Sequence, residues 1–139
     1  MVRRYGSFPT TADVGVWASG ATVAELYEAL GLGLFALITD LRRVRDREGR
    51  TLHASATDPS GLAVTFLEAL LVLEDAEGFL VRKIHARPVG SPPTAILATV
   101  RGELFDPARH VRRIDVKAIT MHELMVDLVR RKARVIVDI

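Results

Sequence analysis

Apolar residues recur at three- and four-residue spacing over two long stretches and at alternate positions over several short ones. That contrast divides the chain into helices and strands. Val23, Leu26, Tyr27, Leu30, Leu34, Leu37, Ile38 and Leu41 make the first helical stripe, which implies one apolar face. Thr22 and Glu25 stand in the T-x-x-E spacing of a capping box, so a helix is predicted over residues 22–40. Gly31 and Gly33 fall inside it and weaken it by about 1 kcal/mol each relative to alanine; their place there implies close approach by a sheet or a second helix. The run Leu-Gly-Leu-Gly-Leu is not a phosphate loop, since it lies in mid-helix without a strand and turn before it. The second stripe is Leu62, Phe66, Ala69, Leu70 and Leu73, widened by Leu67 and Leu71. Asp58 as N-cap, Pro59 at the first helical position and Gly78 as the stop predict a helix from there to about Asp75. Glu74, Asp75 and Glu77 crowd its C-terminal end, where the helix dipole disfavours negative charge, so an arginine or a partner is expected to face them.

The alternating stretches predict strands over residues 2–7, through Val14, Val16 and Ala18, over residues 50–56, and over Phe79–Val89 and Ala95–Leu104. The last two form a natural antiparallel hairpin around Val-Gly-Ser-Pro-Pro-Thr. In the second of them Ile96, Ala98 and Val100 share one face, and Leu97, Thr99, Arg101 and Glu103 the other. His53 falls on a polar strand face. Residues 116–123 alternate Val116, Ala118 and Thr120 against Lys117, Ile119 and Met121, with Lys117 required to reach solvent or a partner. A final hairpin is predicted from residues 124–129 and 133–139 around Arg130, Arg131 and Lys132. Residues 41–50 are expected to be a charged linker, and residues 105–110 a turn started by Asp106-Pro107. The sum is an α+β fold, two helices packed on mostly antiparallel sheet of about seven strands. A chain of 139 residues is expected to form one domain over residues 1–139.

Composition narrows the function classes. Apolar residues make up 49% and charged residues 26%, as in globular chains. There is no cysteine, which removes disulfide and thiol chemistry and agrees with a reducing cytoplasm. The N-terminus has no apolar segment of a secretory signal, and no apolar run approaches the ~20 residues that span a bilayer, so no membrane role is expected. Nineteen basic against 17 acidic residues leave a net charge of only +2, a weak argument for nucleic acid. The aromatic fraction of 6% argues against a base-stacking platform.

The chemistry that remains is carboxylate chemistry. The chain closes on Ile-Val-Asp-Ile, so Asp138 and the carboxylate of Ile139 are adjacent anions at the end of an apolar strand. Asp13 sits at a loop-to-strand junction, where it serves either as a turn former or as a ligand. If the three meet, their repulsion demands a cation, and an all-oxygen set suits Ca²⁺, with Mg²⁺ or Mn²⁺ as alternatives, and not Zn²⁺. No nucleophile elbow, Walker loop or zincin helix is present, and nothing in the sequence pairs His110 or His122 with a nucleophile. No catalytic residue is assigned.

Five stretches together, in order and over nearly the whole chain, resemble the archease family: T-A-D-V-G at residues 11–15, F-L-E-A-L-L-V-L-E-D-A-E-G at 66–78, R-G-E-L-F-D-P-A-R-H at 101–110, V-K-A-I-T-M-H at 116–122 and the terminal V-D-I. The resemblance implies a small α+β accessory protein in tRNA splicing. It would activate the RNA-splicing ligase RtcB by promoting metal- and GTP-dependent guanylylation and multiple turnover, meeting RNA only indirectly. It also implies a metal site at Asp13, Asp138 and Ile139, with Thr11, Lys117 and His122 as supporting or partner-facing residues. The chain departs from the family pattern at Thr10, usually His, and at Met121, usually Tyr. Two other readings stand beside this one: a stand-alone metal-dependent phosphoester or nucleotide hydrolase using the same carboxylates, and an RNA-binding module using the arginines of residues 42–50 and 109–113.

Overall fold

The computed structural model describes residues 4–139; Val2 and Arg3, in the first predicted strand, lie outside them. In chain order the elements are β1 (Arg4–Pro9), β2 (Val14–Ser19), α1 (Val23–Ile38), a 3-10 turn (Leu41–Arg43), β3 (Glu48–Ser55), α2 (Pro59–Glu77), β4 (Phe79–Val89), β5 (Ala95–Leu104), β6 (Ala118–Ile119), β7 (Met125–Asp127) and β8 (Lys132–Asp138). Eight strands among the described residues stand against the seven or so predicted. They form two antiparallel sheets: β1-β2-β8-β6, with β7 also paired to β8, and β3-β5-β4.

Helix α1 is wedged between the sheets. Every residue from Leu26 to Ile38 except Ala36 is buried, so the single apolar face expected of it is replaced by burial on all sides. Its two glycines make this possible. A Cβ on Gly31 would stand 2.5 Å from Ile84 Cδ1 of β4 and 2.9 Å from Leu70 Cδ1 of α2, and one on Gly33 would stand 2.6 Å from Val16 Cγ1 of β2. One glycine thus seats the second sheet and α2, and the other seats the first sheet. Glu28 is buried with them and accepts the Ala86 N–H of edge strand β4 at 2.8 Å. The capping signals act as predicted: Thr22 Oγ1 accepts Glu25 N–H at 3.1 Å, and Asp58 Oδ1 accepts Gly61 N–H at 2.7 Å. Gly78 ends α2 in the left-handed conformation at φ 69°, which glycine adopts without a Cβ clash. The acidic end of α2 does face arginines, with Glu77–Arg50 at 3.0 Å and Glu74–Arg112 at 3.8 Å.

Three expectations are corrected. Residues 41–50 are not a solvated linker: Leu41 and Val44 are buried, Asp40 caps the 3-10 turn, and β3 already starts at Glu48. Glu103, which shares a strand face with Leu97, Thr99 and Arg101 by alternation, is not exposed as they are; it is 4% exposed, covered by Arg45, Arg109 and His110. Residues 116–123 pair as a strand only at Ala118–Ile119, and Val116 and Ile119 are both buried, so the two-residue period fails there. The loop before it has another task. It crosses the C-terminal end of α1, where Arg113 N–H and Ile114 N–H donate to the carbonyls of Ile38 and Leu37 at 2.9 and 3.0 Å, satisfying acceptors the helix leaves open.

Candidate functional site

Strands β2 and β8 pair Val14 with Val137, Val16 with Val135 and Ala18 with Ala133. Val16, Ala18, Ala133, Val135 and Val137 are buried, so this phase of the ladder faces α1. Residues one step out of phase face away from the helix. The ladder ends at that Val14–Val137 pair; continued one step, its register would put Asp13 opposite Asp138 in the outward phase, where directly opposed residues hold their Cβ atoms about 5 Å apart.

Local bonding prepares both. The turn before β2 is closed by Thr10: its N–H donates to the Asp13 carbonyl at 3.1 Å, and its Oγ1 accepts the Asp13 N–H at 2.9 Å. The turn is therefore held by the threonine hydroxyl and main chain, and the Asp13 carboxylate takes no part in it. Asp138 is held by β6, where Lys117 N–H donates to the Asp138 carbonyl at 2.8 Å and Ala118 pairs with Asp138. Ile139 follows directly and is exposed.

The predicted supporting residues divide. Lys117 contributes its main chain, and its side chain is exposed. Thr11 is exposed in the bend before Asp13. His122 leaves the carboxylates, because β6 runs antiparallel to β8 and carries the chain away from Asp138; its ring pairs with Glu123 at 3.8 Å.

Among the described residues, no three histidine, aspartate or glutamate side chains converge as a metal cage. The donor set would be two carboxylates and main-chain oxygen. It fits a hard divalent cation on one observation: like charges directly opposed across a ladder are destabilising, and neither Asp13 nor Asp138 forms an ion pair with a described residue.

A second constellation was missed in the sequence. Glu103 Oε2 lies 2.9 Å from His110 Nε2 and accepts the Arg45 N–H at 2.7 Å, while Oε1 is bonded to the Arg109 guanidinium. His110 Nδ1 accepts the Asp106 N–H at 2.8 Å, so the imidazole carries its proton on Nε2 and donates it to Glu103. Burial raises the Glu103 carboxyl, but the bonds from Arg109, the Arg45 amide and His110 outweigh it and hold the group down to about 2. Both ring nitrogens of His110 are engaged, so this histidine is a structural tie and not a free base. The signal available beforehand was the Asp106–His110 spacing of one helical turn; what hid it was that the turn folds back over the face of β5 that carries Glu103.

The chain matches the family described as the archease protein family over residues 5–139. It is 37% identical over 127 residues to "Protein archease" of Thermococcus gammatolerans, covering 91% of this chain and 89% of that protein. It is 33% identical over 135 residues to "Protein archease" of Methanothermobacter thermautotrophicus, covering 95% and 96%. The solution structure of protein 1598 of Methanobacterium thermoautotrophicum superposes with a TM-score of 0.83 at 31% identity, over 97% of this chain and 98% of that one.

Proposed function

The chain belongs to the archease family, and from that premise we propose that it is an accessory protein of the RNA-splicing ligase RtcB and not an enzyme in its own right. In this reading it promotes metal- and GTP-dependent guanylylation of the ligase during tRNA splicing in the cytoplasm, and it sustains multiple turnover. The observation that supports the proposal is the β2–β8 register, whose last pair joins Val14 to Val137, the neighbours in sequence of Asp13 and Asp138.

Asp13, Asp138 and the carboxylate of Ile139 would hold a hard divalent ion, Ca²⁺ first, with Mg²⁺ and Mn²⁺ suited by the same donors. Such an ion, when bound, neutralises charge that develops on phosphate oxygens in nucleotidyl transfer. The residues of this chain supply the setting. Thr10 fixes the approach of Asp13, β6 fixes the main chain of Asp138, and the exposed Lys117 extends a cation from the same tip. An exposed tip of this kind suits delivery of charge to a partner better than closure over a small substrate.

Catalysis by the chain alone finds less support. Neither nitrogen of His110 is available to take a proton, and His122 points to Glu123. Among the described residues, no helix is long and apolar enough to cross a membrane.

The test is ligase guanylylation by GTP at limiting divalent metal, with and without the protein. Stimulation by the wild type and its loss in Asp138→Ala support the reading. Equal rates with and without the protein, or full stimulation by Asp138→Ala, remove it.

A further inference from the structure

The outward face of the first sheet carries no helix, and its register assembles what the composition argued against. One row across four strands reads Gly6, Trp17, Arg134, Met125. The next in the same phase pairs Phe8 with Gly15 and Gly15 with Ile136. On the other side of the tryptophan row, Arg4 pairs with Ser19 and Ser19 with Lys132. Of these, Arg4, Phe8, Trp17, Ser19, Met125, Lys132 and Arg134 line a groove of about 870 Å³.

Two aromatic side chains lie against glycines of the neighbouring strand. A Cβ built on Gly6 would meet Trp17 Nε1, Cε2 and Cζ2 at 2.5, 2.6 and 2.7 Å, and one built on Gly15 would meet Phe8 Cζ, Cε1 and Cε2 at 2.1, 2.4 and 2.4 Å. Each aromatic therefore occupies the space above a glycine that has no side chain to displace it; Trp17 is 40% exposed.

Charge completes the groove. Arg4, Lys132 and Arg134 line it, and no carboxylate does. None of the three forms an ion pair with a described residue. Arg134 Nε donates to the Glu123 carbonyl at 3.0 Å, which aims its guanidinium along the surface. The nearest acid in register, Asp127 opposite Lys132, accepts the Val129 and Arg130 amides and faces the Arg130 guanidinium.

We propose that this groove binds single-stranded RNA, with bases stacked on Trp17 and Phe8 and phosphates held by Arg4, Lys132 and Arg134. Aromatic rings beside cations that have no ion-pair partner among the described residues are the two features that unspecific single-strand binding needs. The choice of RNA over DNA rests on the function proposed above; the stacking and charge argument does not. The Asp13–Asp138 pair lies on the same outward face, four residues along β2 from Trp17, roughly 13 Å away. A strand in the groove would run toward or from that tip.

Trp17 is the only tryptophan, so its emission reports the groove directly. The experiment titrates the full chain, without ligase, with an unstructured oligoribonucleotide of about ten nucleotides. The expected result is saturable quenching, with affinity falling with salt at a log–log slope of about −2 for three neutralised phosphates. Lys132→Ala and Arg134→Ala, both exposed positions, each weaken binding and shallow the slope. Trp17→Ala, followed by a fluorescent label on the RNA, weakens it roughly tenfold or more. Three results overturn the proposal: emission unmoved by RNA at low salt, binding unchanged in the two cation variants, or emission that answers only to added ligase, which makes the groove a protein-docking face. Because the titration contains no ligase, its failure is separate from failure of the guanylylation assay.

Discussion

His110 Nε2 stands 2.9 Å from Glu103 Oε2, inside the protein, with the same carboxylate also holding Arg109 and the Arg45 amide. This tie fastens the turn after β5 and the segment before β3 to one buried anion. Its removal leaves hydrogen-bond donors buried without a partner, and a charged hydrogen bond of this kind contributes about 1.5–3 kcal/mol. Glu103→Gln is expected to destabilise the fold by roughly 2–3 kcal/mol, measured as a lower urea midpoint at an unchanged slope.

The same carboxylate makes stability depend on pH. Its ordinary value is 4.5, and the folded state lowers it to about 2. The unfolded chain therefore binds more protons between these values, so stability is fully present above about 4.5 and is lost as pH falls toward 2. Asp40, lowered to about 2 chiefly by its Arg42 bond, adds in the same direction. Melting temperatures measured from pH 5 down to pH 2 are expected to fall steeply in the wild type and less steeply in Glu103→Gln. Parallel curves would contradict the assignment.

The proposed metal site at Asp13 and Asp138 carries a prediction that needs no ligase. Opposite ends of a ladder carrying like charge should relax when a divalent cation binds. The wild type is expected to gain melting temperature with Ca²⁺ and to lose it with a chelator; saturation at a hundredfold the dissociation constant corresponds to about 2.7 kcal/mol. Asp13→Asn and Asp138→Asn should match or exceed the wild type in chelator, because repulsion is removed, and should show no Ca²⁺ response. A wild-type melt indifferent to both calcium and chelator would count against a metal at this tip.

The glycines of the core differ in what a methyl group would strike. At Gly31 the nearest atoms are the tips of Ile84 and Leu70, at Gly33 the nearest is the branched Val16, and at Gly102 it is the Leu80 carbonyl oxygen of the main chain. Flexible tips yield and β-branched side chains yield less; a backbone carbonyl in a ladder yields least. Gly31→Ala should be near neutral, helped by the helix preference of alanine. Gly33→Ala should cost about 1–2 kcal/mol and Gly102→Ala upward of about 3. Urea unfolding of the three variants checks the order.

Tyr27 is fully buried, and its hydroxyl donates to the Pro59 carbonyl at 2.9 Å, joining α1 to the first turn of α2. Tyr27→Phe keeps the ring and leaves that carbonyl short of a donor. The expected loss is about 1 kcal/mol, read in the same unfolding experiment.

Both helices and their ends were legible before folding, because caps and stops are local chemistry. Thr22, Asp58, Pro59 and Gly78 act within one turn of themselves. The β4–β5 hairpin was legible for the same reason, its turn residues lying between two alternating runs. The burial of Glu103 was not, because it depends on the turn after β5 and the segment before β3 closing over its carboxylate. Residues 116–119 were misread as a regular strand because their burial is set by β8 on one side and by the end of α1 on the other. The aromatic platform was argued against from composition, which counts rings without placing them; Phe8 and Trp17 matter because the register lays each over a glycine of the adjacent strand.

What the chain alone determined, then, was everything written at short range: element types, caps, the α+β class and the acidic residues available for a hard ion. Family resemblance added which of those acids to watch. The clustering of Trp17 with Arg134 and the burial of Glu103 against His110 were decided only in three dimensions. The first depends on the registry between strands far apart in sequence, where a one-residue slip moves a side chain to the opposite face; the second depends on the turn after β5 folding back over its own strand.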